Sequence, residues 1–472
     1  MSRTLLHLLP PAGSVALMIT FITYLPAQES GAVPTRDQVE ERHTWNVADI
    51  FATDEAWETA FTDAQGRLAD FARFEGQLGK SGAKLLAGLQ LRDEVGLKFD
   101  HLYSYAARHR DVDLANSANQ SRGQRIEGLY TEFSSATAFM EPEIVAISDK
   151  KLAKFVKKEA GLREYSHHLD DLRRQQAHVL SKEQEQIMAL AQDITGGPHD
   201  GFSMLTNTDF TWGNIKDAQG QDVQMSRSRY SLYMTSGDRR VRRDAYRELY
   251  VPFQSHLNTL TTLLNAEIKV SLFRMKARNY ENMLEVALDG PNVPTEVYHN
   301  LIAAVNDNLE PLHRWAGIKK RVLGVDELHP YDTYAPLFPE VEKTYTYEEA
   351  QALVLAGLEP LGDDILAIVQ RAFDERWIDV YENQGKRGGA YSSGTYGVHP
   401  YILLNFNGTL DAVFTLAHEL GHTMHSYLSA QNQPYIYSDY PTLAAEVAST
   451  ANEALLMQYL LDNAQSDAEK LS

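Results

Sequence analysis

Hydrophobic residues recur at three- and four-residue steps through most of the chain, a spacing typical of one face of an α-helix. The pattern starts at Thr44 and runs to residue 195, in a segment rich in Ala, Leu, Glu, Lys and Arg, which favour helices. Ser181, followed by Glu183 and Glu185, has the residue types of a helix N-terminus. The turn-forming run "GGPHDGF" then interrupts the pattern. We therefore predict an N-terminal helical domain over residues 44–195.

The second half of the chain combines long helical patterns with two short β signals. Aromatic and β-branched residues around a Gly-containing turn, in "TDFTWGNIKDAQGQDVQM", predict a hairpin. Helical patterns resume from Asp238, and a Gly- and Ser-rich stretch from Gln384 leads into a predicted strand over Tyr401–Phe406. We predict a mainly α fold, with a second domain over residues 196–472 that contains a small β element.

The N-terminus has the residue order of a secretory signal peptide. Arg3 is followed by an apolar run from Val15 to Leu25 and then by Pro26 and Ala27. We predict a signal peptide over residues 1–27, a linker over 28–43, and an exported protein, periplasmic or extracellular. Because the apolar run is too short to span a bilayer as a stable helix, we expect no stable membrane insertion.

Composition limits the chemistry that is available. The formal net charge of −20 disfavours binding to nucleic-acid phosphates. The chain has no cysteine, which excludes thiol catalysis and thiolate metal sites, so any metal must be held by His, Asp or Glu. Oligomeric state is left open by the sequence.

The stretch "TLAHELGHTMHSYL" carries the most specific chemical signal. It lies in a predicted helix over Asp411–Ala430, where His418 and His422 are one helical turn apart and their rings converge on one point. This HExxH pattern suits two ligands of a tetrahedral zinc site, and Glu419 can take a proton without ligating the metal. Gly421 is unusual inside a helix, and a close approach by a second helix or by substrate would explain it.

A second predicted helix supplies a third ligand candidate. Glu446 lies 28 residues after His418, within the apolar stretch "LAAEVA", where we expect a buried carboxylate that needs a cation. Glu453 falls on the same helix face, and His425 follows His422 by one turn. We predict contacts with ligands or substrate for Glu453, His425, His399 and Tyr396, while a hydrogen-bonded core position is an equal alternative for His425.

The sequence resembles the oligoendopeptidase F branch of the thimet-oligopeptidase-like metallopeptidases. The resemblance rests on "HELGHTMHS" with "AAEVASTANE", and on "DIFATDEAWE", "RRDAYRELY", "ARNYENMLEVAL", "YDTYAPLF" and "HPYILLNFNG". It implies a two-lobed helical fold with a deep central channel, one Zn²⁺ per chain on His418, His422 and Glu446, and Glu419 as general base. It also implies that residues 196–472 are a peptidase catalytic domain acting on internal bonds of short, unfolded oligopeptides.

One departure from the family pattern concerns the C-terminus. Members of the family continue past the second zinc helix into a segment whose His and Tyr residues bind the developing oxyanion, whereas this chain stops at "NAQSDAEKLS". The resemblance therefore leads us to expect a C-terminally incomplete catalytic domain. Two alternatives remain at this point: a zinc carboxypeptidase on a related helical fold, and a non-catalytic protein that binds peptide or metal.

Overall fold

The computed structural model describes residues 33–337 and 343–471, so the predicted signal peptide lies outside the described residues. The described chain is mostly helical, which confirms the predicted fold class. Its α-helices are α1 (Asp54–Arg67), α2 (Gly82–Val112), α3 (Ser117–Thr137), α4 (Met140–Val145), α5 (Asp149–Lys158), α6 (Ser166–Arg174), α7 (Lys182–Met204), α8 (Arg227–Met234), α9 (Arg239–Ser255), α10 (Leu257–Ala277), α11 (Met283–Asp289), α12 (Thr295–Asp307), α13 (Glu310–Val322), α14 (Tyr347–Gly357), α15 (Asp363–Asp374), α16 (Leu410–Asn432), α17 (Thr442–Asn463) and α18 (Asp467–Leu471). Among these residues, no helix is both long enough and apolar enough to traverse a membrane.

Helices α1 to α6 enclose the first hydrophobic core. Trp57 and Leu102 are fully buried in it, and the indole Nε1 of Trp57 donates a hydrogen bond to the carbonyl of Leu102 at 3.0 Å. The indole therefore contributes apolar area without leaving a polar group unpaired.

Helix α7 continues through the predicted break. It begins with the predicted Ser181 cap, whose hydroxyl accepts a hydrogen bond from the backbone of Gln184, and it contains Pro198 in its interior. Proline removes one helix hydrogen bond, but α7 packs along α3 and α10, and this tertiary contact outweighs the local preference. The domain boundary expected after residue 195 consequently falls inside a helix.

A second core lies between helices α14 to α17 and a small sheet. The sheet contains β3 (Ile378–Asp379), β4 (Tyr391–Ser393) and β5 (Tyr401–Leu403), with β5 between a parallel β3 and an antiparallel β4. The predicted strand is thus the central one, and β4 is an edge strand beside α16. The predicted hairpin is confirmed as β1 (Asn214–Lys216) paired antiparallel with β2 (Asp222–Gln224).

The segment 33–50, part of which was predicted as linker, packs against this sheet region. Arg36 forms an ion pair with the buried Asp379, and the carbonyl of His43 accepts a hydrogen bond from the backbone of Val380 at 2.9 Å. Tyr401 donates through its hydroxyl to the carbonyl of Asn46 at 2.9 Å. The beginning of the described chain therefore lies against the elements that carry the candidate site.

Candidate active site

Helix α16 positions the HExxH residues. Thr409 caps its N-terminus, accepting a hydrogen bond from the backbone of Ala412 at 3.1 Å, and Asp411 lies in the first turn, where the helix dipole favours an acidic residue. One face of this helix is apolar and buried, apart from Leu428, which is 37% exposed. Burial of that face fixes the rotation of the helix. The buried residues are Val413, Leu416, Ala417, Leu420 and Met424.

His418, His422 and Glu446 come together as a group able to hold a metal ion. The two Nε2 atoms are 3.1 Å apart, and Glu446 Oε2 lies 3.3 Å from His418 Nε2 and 3.5 Å from His422 Nε2. Ligand atoms about 2 Å from a tetrahedral zinc ion are about 3.3 Å from one another. The three donors therefore have the chemistry and the separations that zinc requires.

Glu446 reaches the two rings from an exposed position on α17, and not from the buried position that the sequence led us to expect. Its side chain is 60% exposed, and its neighbours Leu443 and Val447 are 67% and 66% exposed. The expectation of a buried carboxylate is therefore wrong, although the exposed Glu446 still reaches both rings. Ser449, which is fully buried, donates a hydrogen bond to Glu446 Oε2 at 2.9 Å and orients that oxygen.

Gly421 lets α16 and α17 approach closely. A Cβ atom at this position would lie 2.5 Å from the Cα of Ser449, closer than two such atoms can pack. The expectation of a close approach by a second helix is confirmed. Asn452, which the sequence did not single out, is buried and donates to the carbonyl of Ala417 at 2.9 Å, so a polar contact also joins the two helices.

Glu419 is withdrawn from solvent beside the cluster. The residue is 6% exposed, and its Oε2 has no hydrogen-bond partner among the described residues. Burial raises the pKa of Glu419 to about 7, and Glu446 adds to this, while His418 and the backbone N–H of Ser392 on β4 oppose it. A carboxyl with this pKa can accept and release a proton near neutral pH. Ser392 was missed because an edge-strand N–H leaves no trace in the sequence.

Ring nitrogens of His418 and His422 are placed where they could bind a cation. Burial lowers the pKa of His422, although Glu446 opposes the shift, and this favours the neutral ring that metals bind. His418 Nδ1 lies 2.5 Å from Glu453 Oε1, and because a carboxylate only accepts, Nδ1 carries the proton. The lone pair of His418 is therefore on Nε2, which faces Glu446.

The other three candidates have partners outside the cluster. His425 stacks on Tyr440 with ring centroids 3.6 Å apart, and its buried Nδ1 has no hydrogen-bond partner in the described chain. His399 stacks on Trp377 at 4.6 Å and hydrogen bonds with Asp49 at 3.1 Å.

Tyr396 is held by both halves of the chain. Its carbonyl is 2.7 Å from His101 Nε2 on α2, and its hydroxyl donates to the carbonyl of Gln433 at 3.2 Å. Tyr396 therefore connects the Gly-rich stretch to α2 and to the end of α16.

Comparison with known families points to one group of peptidases. The model of the family described as "Peptidase family M3" matches residues 232–472, and the one described as "Oligopeptidase F" matches residues 143–212. The first of these matches includes His418, His422 and Glu446.

Individual relatives cover most of the chain. Oligopeptidase PepF of Bacillus subtilis is 38% identical over 450 residues, which are 95% of this chain and 67% of that protein. Group B oligopeptidase PepB of Streptococcus agalactiae is 34% identical over 437 residues, covering 93% of this chain and 72% of the relative. The crystal structure of oligoendopeptidase-F from Enterococcus faecium is similar with a TM-score of 0.66 at 30% identity, covering 88% of this chain and 69% of that one.

Proposed function

This chain belongs to peptidase family M3 and is a metallo-endopeptidase of oligopeptides; on that premise we propose that its metal is one Zn²⁺ ion, held by His418, His422 and Glu446. The observation that supports this most directly is the set of separations between the three donor atoms, 3.1, 3.3 and 3.5 Å. Two neutral ring nitrogens at the first of these distances can share a hydrogen bond or bind one cation between them, and the Glu446 oxygen beside both rings favours the cation.

Glu419 is the general base in this proposal. Bound zinc supplies Lewis-acid chemistry, lowering the pKa of water and polarising a peptide carbonyl. The unpartnered Oε2 of Glu419 accepts the proton of the attacking water and then delivers it to the nitrogen of the leaving amine. Burial of the carboxyl favours both proton transfers, because it raises the pKa of Glu419 to about 7. At that pKa the carboxylate is basic enough to take a proton and the carboxylic acid is acidic enough to release it.

A cleavage assay with an inactive variant tests this assignment. We expect a quenched-fluorescent peptide to be cut at an internal bond by the wild-type chain, and a chelator to abolish the cutting until Zn²⁺ is added. Glu419→Gln should retain zinc and lose roughly 10²–10⁴-fold in kcat. Glu446→Gln should lose the zinc itself, whereas Asp462→Asn, a matched change on the exposed end of α17, should lose neither.

Mass spectrometry of the products separates the remaining alternatives. Release of single C-terminal residues would indicate a carboxypeptidase, and tight binding of peptide without cleavage would indicate a binding protein. Full activity after removal of zinc would contradict the metal assignment.

We also propose that the protein is exported, on the basis of the residue order in positions 1–27. Cell fractionation followed by N-terminal sequencing should find a mature chain that begins at Gln28 outside the cytoplasm. A retained Met1 would contradict the proposal.

A further inference from the structure

A cavity of about 380 Å³ opens beside the N-terminal half of α16. Helix α8 forms one wall, and the segments before β4 and after β5 form the floor. Its lining combines apolar surface with a few polar groups, as small-molecule and side-chain pockets do. Among the residues that line it are Arg227, Asn405, Asp411 and Thr415.

The cavity and the candidate metal cluster lie along the same helix, about two turns apart. Asp411 and His418 are seven residues apart, as are Thr415 and His422, and this separation is about 20° short of two helical turns. The cavity wall and the two histidines therefore share one face of α16. Glu453 provides a second link, because it accepts from His418 and is also close enough to Asp411 to raise the pKa of that carboxyl, second to the effect of burial.

Arg227 brings a positive charge to the cavity without a partner. Within the described chain its guanidinium has no hydrogen bond and no ion pair. Its Cδ lies near Gly388, where an added Cβ would be 3.6 Å away, so the side chain extends along the Gly-rich stretch. Partial burial lowers the pKa of Arg227, although the residue as a whole is exposed to solvent. An anionic ligand would stabilise a partly desolvated guanidinium that has no counter-charge.

Asn405 lines the same cavity, and one of its side-chain atoms is an acceptor without a partner among the described residues. Its Nδ2 donates to the carbonyls of Arg387 and Gly389 at 3.0 and 2.7 Å, and since carbonyls only accept, these bonds fix the orientation of the amide. The Oδ1 atom is buried and has no partner in the described part of the chain. An N–H group of a bound peptide would satisfy it.

We propose that this cavity is a substrate subsite for a residue that bears a carboxylate, either an acidic side chain or the peptide's own C-terminus, with Arg227 as the residue that pairs with it. Asn405 accepts a hydrogen bond from the backbone of the same substrate residue. The proposal rests on the proposed peptidase function, since the subsite shares one face of α16 with the cluster at which the bond would be cut. Asp411 opposes anion binding least when it is protonated, which burial promotes.

Binding to an inactive, zinc-loaded chain tests the subsite without turnover. Fluorescence anisotropy would compare labelled peptides of one sequence that carry Glu, Gln or Lys at successive positions, each with a free or an amidated C-terminus. In the Glu419→Gln background, we expect the carboxylate form to bind about 10- to 100-fold more tightly than its neutral counterpart at one position. The Glu-to-Gln comparison identifies an acidic side chain as the source, and the amide comparison identifies the C-terminus.

Variants at Arg227 then decide the assignment. Arg227→Gln should remove the discrimination, and Arg227→Lys should retain part of it. Arg163→Gln, the same change at an exposed position beside the first hydrophobic core, should leave the discrimination intact. Unchanged discrimination in Arg227→Gln would overturn the proposal, and so would preferential binding of the Lys peptides. If the chain discriminates between the peptides but the wild type cuts none of them, the subsite is supported and the proposed function is contradicted. If the wild type cuts the peptides without discriminating between them, the function is supported and the subsite is contradicted.

Discussion

At the residue scale, Glu453 determines which nitrogen of His418 is available to a metal. The carboxylate holds the proton on Nδ1, at 2.5 Å, and so leaves Nε2 free on the side of Glu446. Carboxylate partners of this kind orient a ligand ring and increase its basicity. We therefore expect Glu453 to contribute to metal binding although it is not placed as a ligand.

We expect Glu453→Ala to weaken zinc binding by about 10- to 100-fold. Glu453→Gln should show a smaller loss, because its amide oxygen can still accept the Nδ1 proton while the negative charge is gone. Competition with a fluorescent zinc chelator measures both affinities. Equal affinities in wild type and Glu453→Ala would show that the ring is oriented by packing alone.

Asp332 is a buried carboxylate outside the candidate metal cluster. It is fully buried between Arg239 and Arg242, whose nitrogens lie 2.8 and 3.1 Å from its oxygens. Burial acts to raise the pKa of Asp332, but hydrogen bonds from Arg239, from the backbone of His329 and from Arg242 outweigh it and lower the pKa to about 2. Since the ordinary value is 3.8, the ionised form stabilises the folded state above that pH and the contribution disappears as the pH falls towards 2.

We expect Asp332→Asn to reduce the free energy of unfolding by about 3–5 kcal/mol at pH 7, because it leaves Arg242 buried without a counter-charge. The difference from wild type should shrink by about 2 kcal/mol as the pH falls from about 4 to about 2. Urea denaturation across this range measures it, with the exposed Asp326→Asn as control. A difference that stays constant with pH would contradict the role assigned to this carboxylate.

At the element scale, the distance between α16 and α17 determines whether Glu446 reaches the two rings. Gly421 meets the backbone of Ser449, and Ser449 in turn holds the Glu446 carboxylate, so the contact between the helices and the ligand position depend on each other. Even one methyl group on α16 would have to move the α17 backbone.

Gly421→Ala should therefore destabilise the fold by about 1–3 kcal/mol, the usual range for overpacking, and should weaken zinc binding as well. Gly128→Ala on α3 is the matched control, since a Cβ there meets nothing within 4 Å and alanine favours the helix. Thermal unfolding with and without zinc reports both effects. A Gly421→Ala chain as stable and as zinc-competent as wild type would show that the helices can separate without cost.

At the scale of the whole molecule, residues 33–50 connect the start of the described chain to the sheet beside α16. Asp379 is fully buried and is paired with both Arg36 and Lys386, and Lys386 is fully buried as well. Burial acts to raise the pKa of Asp379, but Lys386 and Arg36 outweigh it and lower the pKa. One carboxylate thus holds two cations that are far apart in the sequence.

Arg36→Ala should cost about 1.5–3 kcal/mol, the range for a hydrogen bond to a charged group, and should expose residues 33–50 to proteases. Arg42→Ala is the control, because Arg42 pairs with Glu40 on the surface and is 65% exposed, where an ion pair contributes about 0–1 kcal/mol. Chemical denaturation and limited proteolysis measure the two effects. Resistance to cleavage in Arg36→Ala would show that backbone hydrogen bonds alone hold the segment.

Features that depend on neighbours along the chain could be predicted from the sequence. Helical periodicity correctly predicted α16 and α17, and one-turn spacing placed His418 and His422 together, because helix geometry is set within a few residues. The hairpin β1–β2 was also predicted, because the residues of its strands and turn are close together in the sequence. The continuity of α7 through Pro198 was not, since it depends on packing against α3 and α10.

The sequence by itself determined which residue types could bind a cation and which face of each helix they occupy. The tertiary structure decided that α17 approaches α16 at Gly421, that an exposed Glu446 still meets both rings, and that Arg227 and Asn405 lie in one cavity. The physical reason is that periodicity encodes rotation about a helix axis, whereas the distance between elements is set by side chains that meet across long stretches of chain.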